Sequence, residues 1–158
     1  MKLHRELKLK QPLASVNHEA LLSLVRTSSL MQKLSDRFFS QFGLTDVQFN
    51  ILMILKEHGS SGLSQQELSE HLIVTKSNVV GLIDRLERSG YVKRMSHPSD
   101  RRFNQIVLTA PGVKLEERIE ERYFVEVDKM MNALSAPQKK AVILAMEKIR
   151  QYIINNGS

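Results

Sequence analysis

From residue 17 onward, apolar positions recur at the three- and four-residue spacing of helices, broken by short runs of glycine, serine and proline. Leu21, Leu24, Val25, Met31, Leu34, Phe38 and Phe39 keep that spacing to about Phe42, with Asn17 as cap and Gly43 as stop. Val47, Ile51, Ile54 and Leu55 line a second helix. It opens on Thr45 and Gln48, spaced for a capping box in which each side chain satisfies an orphan amide of the helix start. Ser64 and Glu67 repeat that spacing before a short third helix carrying Leu68 and Leu72 and running out near Ile73 and Val74. Thr75 caps a fourth, where Val79, Leu82, Ile83 and Leu86 form one buried face and Ser89-Gly90 ends the run.

The period then changes. Tyr91 to Met95 and Phe103 to Leu108 read as two strands of a hairpin around Ser96-His97-Pro98-Ser99-Asp100-Arg101-Arg102. A helix start at Thr109-Ala110-Pro111-Gly112 leads into Val113, Leu115, Ile119, Tyr123 and Val127. Its exposed positions are acidic: Glu116, Glu117, Glu120, Glu121 and Glu126. Ser135 and Gln138 open the last helix, with Val142, Ala145, Ile149, Tyr152 and Ile153 on one side. Residues 1–16 lack clean periodicity and read as a basic arm.

The pattern predicts a mainly α chain with a small β-hairpin wing, a winged helix-turn-helix flanked by N- and C-terminal dimerisation helices. Its divisions are an arm (1–16), an N-terminal helix (17–42), the winged module (44–109) and C-terminal helices (110–156). The module needs no three extra amphipathic helices to fold, so their stripes imply a twofold partner. The alternative is that they enlarge a monomeric core.

Charge sharpens this picture. The 158 residues carry a net charge of +6, with a pI of about 9.7. Residues 75–105 hold seven cations against three acids, +4 of that total, and residues 1–10 hold four cations against one acid. Basic charge gathered on a helix pair and hairpin is the footprint that phosphate neutralisation requires. In this layout a helix enters the major groove and the wing tip reaches a neighbouring minor groove, whose narrowed walls concentrate negative potential for arginine. The expected DNA contacts are Thr75, Lys76, Ser77, Asn78, Val80, Gly81 and Arg85 from the helix, and Arg94, His97, Arg101 and Arg102 from the wing. Arg101-Arg102 alone would equally suit a solvated charge run on an ordinary hairpin.

LTDVQFNILMIL, LSQQELSEHLIVTKSNVVGLIDRLERSGYVKR and DRRFNQIVLTAPG together closely resemble the MarR family of bacterial transcription regulators. The likeness spans roughly Leu44 to Gly112. It is carried by the joint of Leu86, Glu87, Gly90, Tyr91, Val92 and Arg94, by Asp100 and Arg102 of the wing, and by Leu108-Thr109 with Gly112. The resemblance implies a homodimer, usually a repressor, on palindromic double-stranded operator DNA. It implies that Arg102 enters the minor groove while Asp100 holds it by an ion pair. It also implies release by a small aromatic or phenolic effector in the crevice between the dimer helices and the DNA-binding lobe. Gly81 departs from the family, which carries arginine or another polar residue there.

Other chemistry has little support. With no cysteine, the chain has neither a disulfide scaffold nor the thiol oxidant sensing of one family branch. No run of about 18 apolar residues marks a membrane span and no leader is visible, so a cytoplasmic protein is expected. The five histidines are scattered without metal-ligand spacing, so no metal or other cofactor is expected. Ser96, His97 and Asp100 share one polar turn with no orienting shell, so no catalytic residue is assigned. The methionines, Met31, Met53, Met130 and Met131 among them, suit core filling or an adaptable crevice. The remaining alternative is a winged-helix module that binds a protein partner.

Overall fold

A computed structural model describes residues 2–72, 79–96 and 104–157. The chain forms two compact units, Met1–Val113 and Lys114–Ser158. In the first, α1 (Leu3–Glu6), α2 (Val16–Ser40) and α3 (Asp46–His58) lead through a single 3-10 turn to β1 (Leu63–Ser64) and α4 (Gln65–His71). Then come α5 (Val79–Arg88), β2 (Val92–Ser96) and β3 (Asn104–Leu108). α6 (Ala110–Met131) runs from the first unit into the second, which ends with α7 (Ala136–Asn156).

The core of the first unit is built on α3. Phe49, Ile51, Leu52 and Leu55 are fully buried, and the helix touches α2, α4, α5 and β3. Removing each such side chain from water contributes about 1.5–3 kcal/mol. Leu68 of α4, Ile83 and Leu86 of α5, and Ile106 of β3 complete the same core. Both capping boxes form as their spacing predicts. The Gln48 amide donates to Thr45 Oγ1 at 3.2 Å and the Thr45 amide to Gln48 Oε1 at 3.0 Å. At α4 the Glu67 amide donates to Ser64 Oγ at 3.2 Å and the Ser64 amide to Glu67 Oε2 at 2.8 Å. Those bonds to Ser64 hold the Glu67 carboxyl below the usual glutamate range.

Several expectations need correcting. Within the arm, whose order the sequence leaves open, α1 forms and Glu6 Oε1 accepts from Arg26 Nε of α2 at 2.6 Å. α2 is capped by Ser15, whose Oγ accepts the His18 amide at 3.3 Å, rather than by Asn17. The hairpin gains a third strand, because β1 pairs antiparallel with β3, Leu63 opposite Ile106. Two residues are too few to show alternation, so sequence pattern passes over β1. In the second unit Glu116 is buried, not exposed. Gly112, Leu115, Glu116 and Ile119 stand at i, i+3, i+4 and i+7, so the carboxylate falls within the apolar stripe itself.

α7 contrasts with α3. Its 21 residues include Val142, Ile143, Leu144, Ile149, Ile153 and Ile154, yet none is buried. On α2, Leu21, Val25, Met31 and Leu34 are likewise exposed, and Phe39 is its one buried residue. Among the described residues no helix is long and apolar enough to cross a membrane.

The entry to β1 depends on Gly62, which has φ +64, where L side chains are strained. A Cβ there would fall on the Ile106 carbonyl oxygen and the Val107 side chain. Gly90, at φ +74, has open space around it. Gly62→Ala is therefore expected to cost about 2–4 kcal/mol from backbone strain plus overpacking. Gly90→Ala should cost only about 1–2 kcal/mol. Urea unfolding of the two variants beside the parent measures the difference, and equal losses would remove the close approach as the cause.

Candidate nucleic-acid interface

α5 is sharply two-sided. Val79, Leu82, Ile83 and Leu86 are buried, while Val80, Arg85 and Arg88 are exposed and Gly81 and Asp84 lie between. The helical period fixes this, since the buried set spans i, i+3, i+4 and i+7. Toward its C-terminus, Arg85 and Arg88 complement the partial negative charge of the last carbonyls. They also line an open cleft of about 550 Å³, with Thr45 and Gln48 at the start of α3 across from them.

The strand leaving α5 is tied back to it. Arg94 of β2 directs one guanidinium nitrogen to Asp84 Oδ1 at 2.6 Å and another to Glu87 Oε2. The Arg94 amide donates to Glu87 Oε1 at 3.1 Å. The Asp84 hydrogen bond, reinforced by the Glu87 charge, raises the Arg94 pKa above its already high ordinary value. The far end of the hairpin closes on the same joint. Thr109 Oγ1 donates to the Gly90 carbonyl at 2.5 Å, and the Thr109 amide donates to the Tyr91 carbonyl at 3.0 Å. The Gly112 amide in turn donates to Thr109 Oγ1 at 3.2 Å, so one threonine both fastens the hairpin and caps α6.

Of the contacts expected from sequence, the structure brings together Val80, Gly81 and Arg85 on α5, with Arg94 beside them on β2. Thr75, Lys76, Ser77, Asn78, His97, Asp100, Arg101 and Arg102 lie outside the described residues. Arg94 was expected on DNA, yet its charge is met by two carboxylates of the protein. Sequence reasoning missed that partnership because the helix ends before Ser89-Gly90, and no single period relates a residue of the following strand to a face of α5. The remaining cations of residues 75–105 are Lys76, Arg85, Arg88, Lys93, Arg101 and Arg102. Among the described residues no cluster of three or more histidine or acidic side chains could hold a metal ion.

Residues 44–103 match the model of the MarR family. The HTH-type transcriptional repressor YetL of Bacillus subtilis is 34% identical over 121 residues, 77% of this chain and 72% of its own length. Among solved structures, the MepR–DNA complex of S. aureus is 27% identical with a TM-score of 0.73, covering 82% of this chain and 95% of that one. AbsC of Streptomyces coelicolor, a MarR family transcriptional regulator, shares the fold at 22% identity. Its TM-score is 0.80, with 93% of this chain and 100% of that chain covered.

A clasp and a phosphate contact respond differently to loss of Arg94. If the clasp is its whole role, Arg94→Ala should lower stability by about 1 kcal/mol, the upper end for half-exposed ion pairs. It should weaken binding to duplex DNA without changing the salt dependence. Loss of a phosphate contact would instead reduce the slope of log K against log salt by about one. Titrations from low to moderate salt distinguish the two.

Proposed function

The chain belongs to the MarR family of helix-turn-helix transcription regulators, and from that premise we propose a homodimeric repressor that binds palindromic operator DNA in the cytoplasm. The observation that carries this reading is the two-sided α5, its solvent face carrying Val80 and Arg85 and its end fastened to the basic hairpin. A helix so mounted can lie in a major groove while the hairpin follows the backbone to the next minor groove. Thr75, Lys76, Ser77 and Asn78 would extend the reading face, and His97, Arg101 and Arg102 the wing. Asp100 would hold Arg102 in place. The repressor assignment leans on YetL, which is named a transcriptional repressor. The DNA-binding assignment leans on MepR, whose structure is a DNA complex.

Dimerisation supplies the second half of the reading. A helix of 21 residues with six exposed aliphatic side chains and none buried is unfavourable in water. A second copy covering α7 and the apolar positions of α2 would remove that surface and set two recognition helices about one DNA turn apart. The effector is read as a small aromatic or phenolic molecule, as the family resemblance implies.

Fluorescence anisotropy tests the function. Duplex from the region upstream of the protein's own gene is compared with scrambled duplex over a salt series. Tighter binding to the former with a steep salt slope is expected, together with release by a phenolic acid panel. Arg102→Ala should cost about 1–3 kcal/mol of binding and leave the dimer intact. Equally weak, salt-insensitive binding to both duplexes would favour a protein partner instead.

The dimer is tested by sedimentation. The double substitution Ile149→Glu and Ile153→Glu is expected to convert the protein to monomer with its helical content retained. DNA affinity should fall at least tenfold as one half-site is lost, and an unchanged dimer would place the interface elsewhere.

A further inference from the structure

Base edges are read largely by hydrogen-bonding groups, and α5 departs from that on its solvent face. Val80 stands 51% exposed in the first described turn, although the other apolar residues of the helix are buried. A β-branched side chain is a poor helix former, and apolar surface left in water contributes nothing to folding. Neither local propensity nor the core accounts for valine there. Gly81 follows it, a residue that costs a helix interior about 1 kcal/mol relative to alanine. Without a Cβ it leaves the backbone open to close approach. Asp84, one turn along, turns its carboxylate to Arg94 at 2.6 Å, so its charge is compensated beside this surface. The face presents two methyl groups next to a flat step of backbone.

In the major groove the apolar feature that base pairs display is the C5-methyl group of thymine. We propose that Val80 is a specificity-determining residue that packs on a thymine C5-methyl in each half-site, with Gly81 letting the helix seat deeply enough for the contact. This inference rests on the DNA-binding reading above and adds to it the base that is recognised. Methyl-to-methyl packing separates thymine from cytosine at that position without a hydrogen bond. By the same chemistry, 5-methylcytosine is accepted in place of thymine.

The test begins with duplexes enriched by the full-length protein from a random-sequence pool. Each thymine of the enriched duplex is replaced in turn by deoxyuridine, which deletes only the methyl group. Binding is then measured by anisotropy with the parent and with Val80→Ala. Burial of one methyl is worth about fourfold in Kd, the equivalent of ~0.8 kcal/mol. One thymine in each half-site should show about a fourfold loss with the parent and none with Val80→Ala. Cytosine at that position should bind more tightly once 5-methylated. Alanine at an exposed helical position favours the helix, and an unchanged circular dichroism melt verifies that the variant is folded.

The assignment is overturned if the parent ignores the methyl at every thymine, or if Val80→Ala keeps the full sensitivity. In either case an enriched sequence would leave the repressor reading standing. A pool with no enrichment would overturn sequence-specific recognition itself, and the Val80 contact with it.

Discussion

The arrangement of the reading head depends on Arg94. One guanidinium on β2 meets Asp84 and Glu87 on α5, so the strand that starts the wing is fastened to the helix that would enter the groove. The three side chains are partly exposed, and the pairs are correspondingly modest in energy. Their importance is geometric. A helix and a hairpin reading adjacent grooves must keep a fixed separation, and a charge shared between two carboxylates sets it by distance and direction together. Thr109 makes the matching closure at the other end of the hairpin, bonding to Gly90 and capping α6 through Gly112. The joint of Glu87, Gly90, Tyr91 and Arg94 that marks the family is thus a mechanical element.

The clasp also changes how charge on the head is understood. Counted along the sequence, Arg94 adds to the basic stretch, but in space it belongs with Asp84 and Glu87. Among the described residues, the exposed cations of α5 and β2 are Arg85, Arg88 and Lys93. α3 supplies the rigid post behind them, its buried face holding α4, α5 and β3. α7 buries nothing. That exposed apolar surface is what the proposed dimer would cover.

Much of this was legible in the sequence because local rules and tertiary packing agree. Thr45 with Gln48 and Ser64 with Glu67 marked their helix starts and form the bonds that their spacing implies. The buried face of α5 followed from the helical period alone. Two of the misses come from contacts that carry no local periodicity. β1 is two residues long, and its pairing with β3 spans more than forty positions. Arg94 finds Asp84 and Glu87 across a turn. Glu116 looked like one more exposed acid until the stripe of Gly112, Leu115 and Ile119 was seen to include it. On α7 and along much of α2 the apolar positions seen in the sequence are exposed.

The most direct measurement is a hydroxyl-radical footprint of the full-length protein on the duplex it selects. The expected result is a twofold-symmetric pattern. Two protected segments should be centred about 10–10.5 base pairs apart, or a multiple of that spacing, each flanked by minor-groove protection from a wing. A single unsymmetric segment, or protection of the backbone with no fixed register, would contradict a dimer that places two clasped heads on a palindrome.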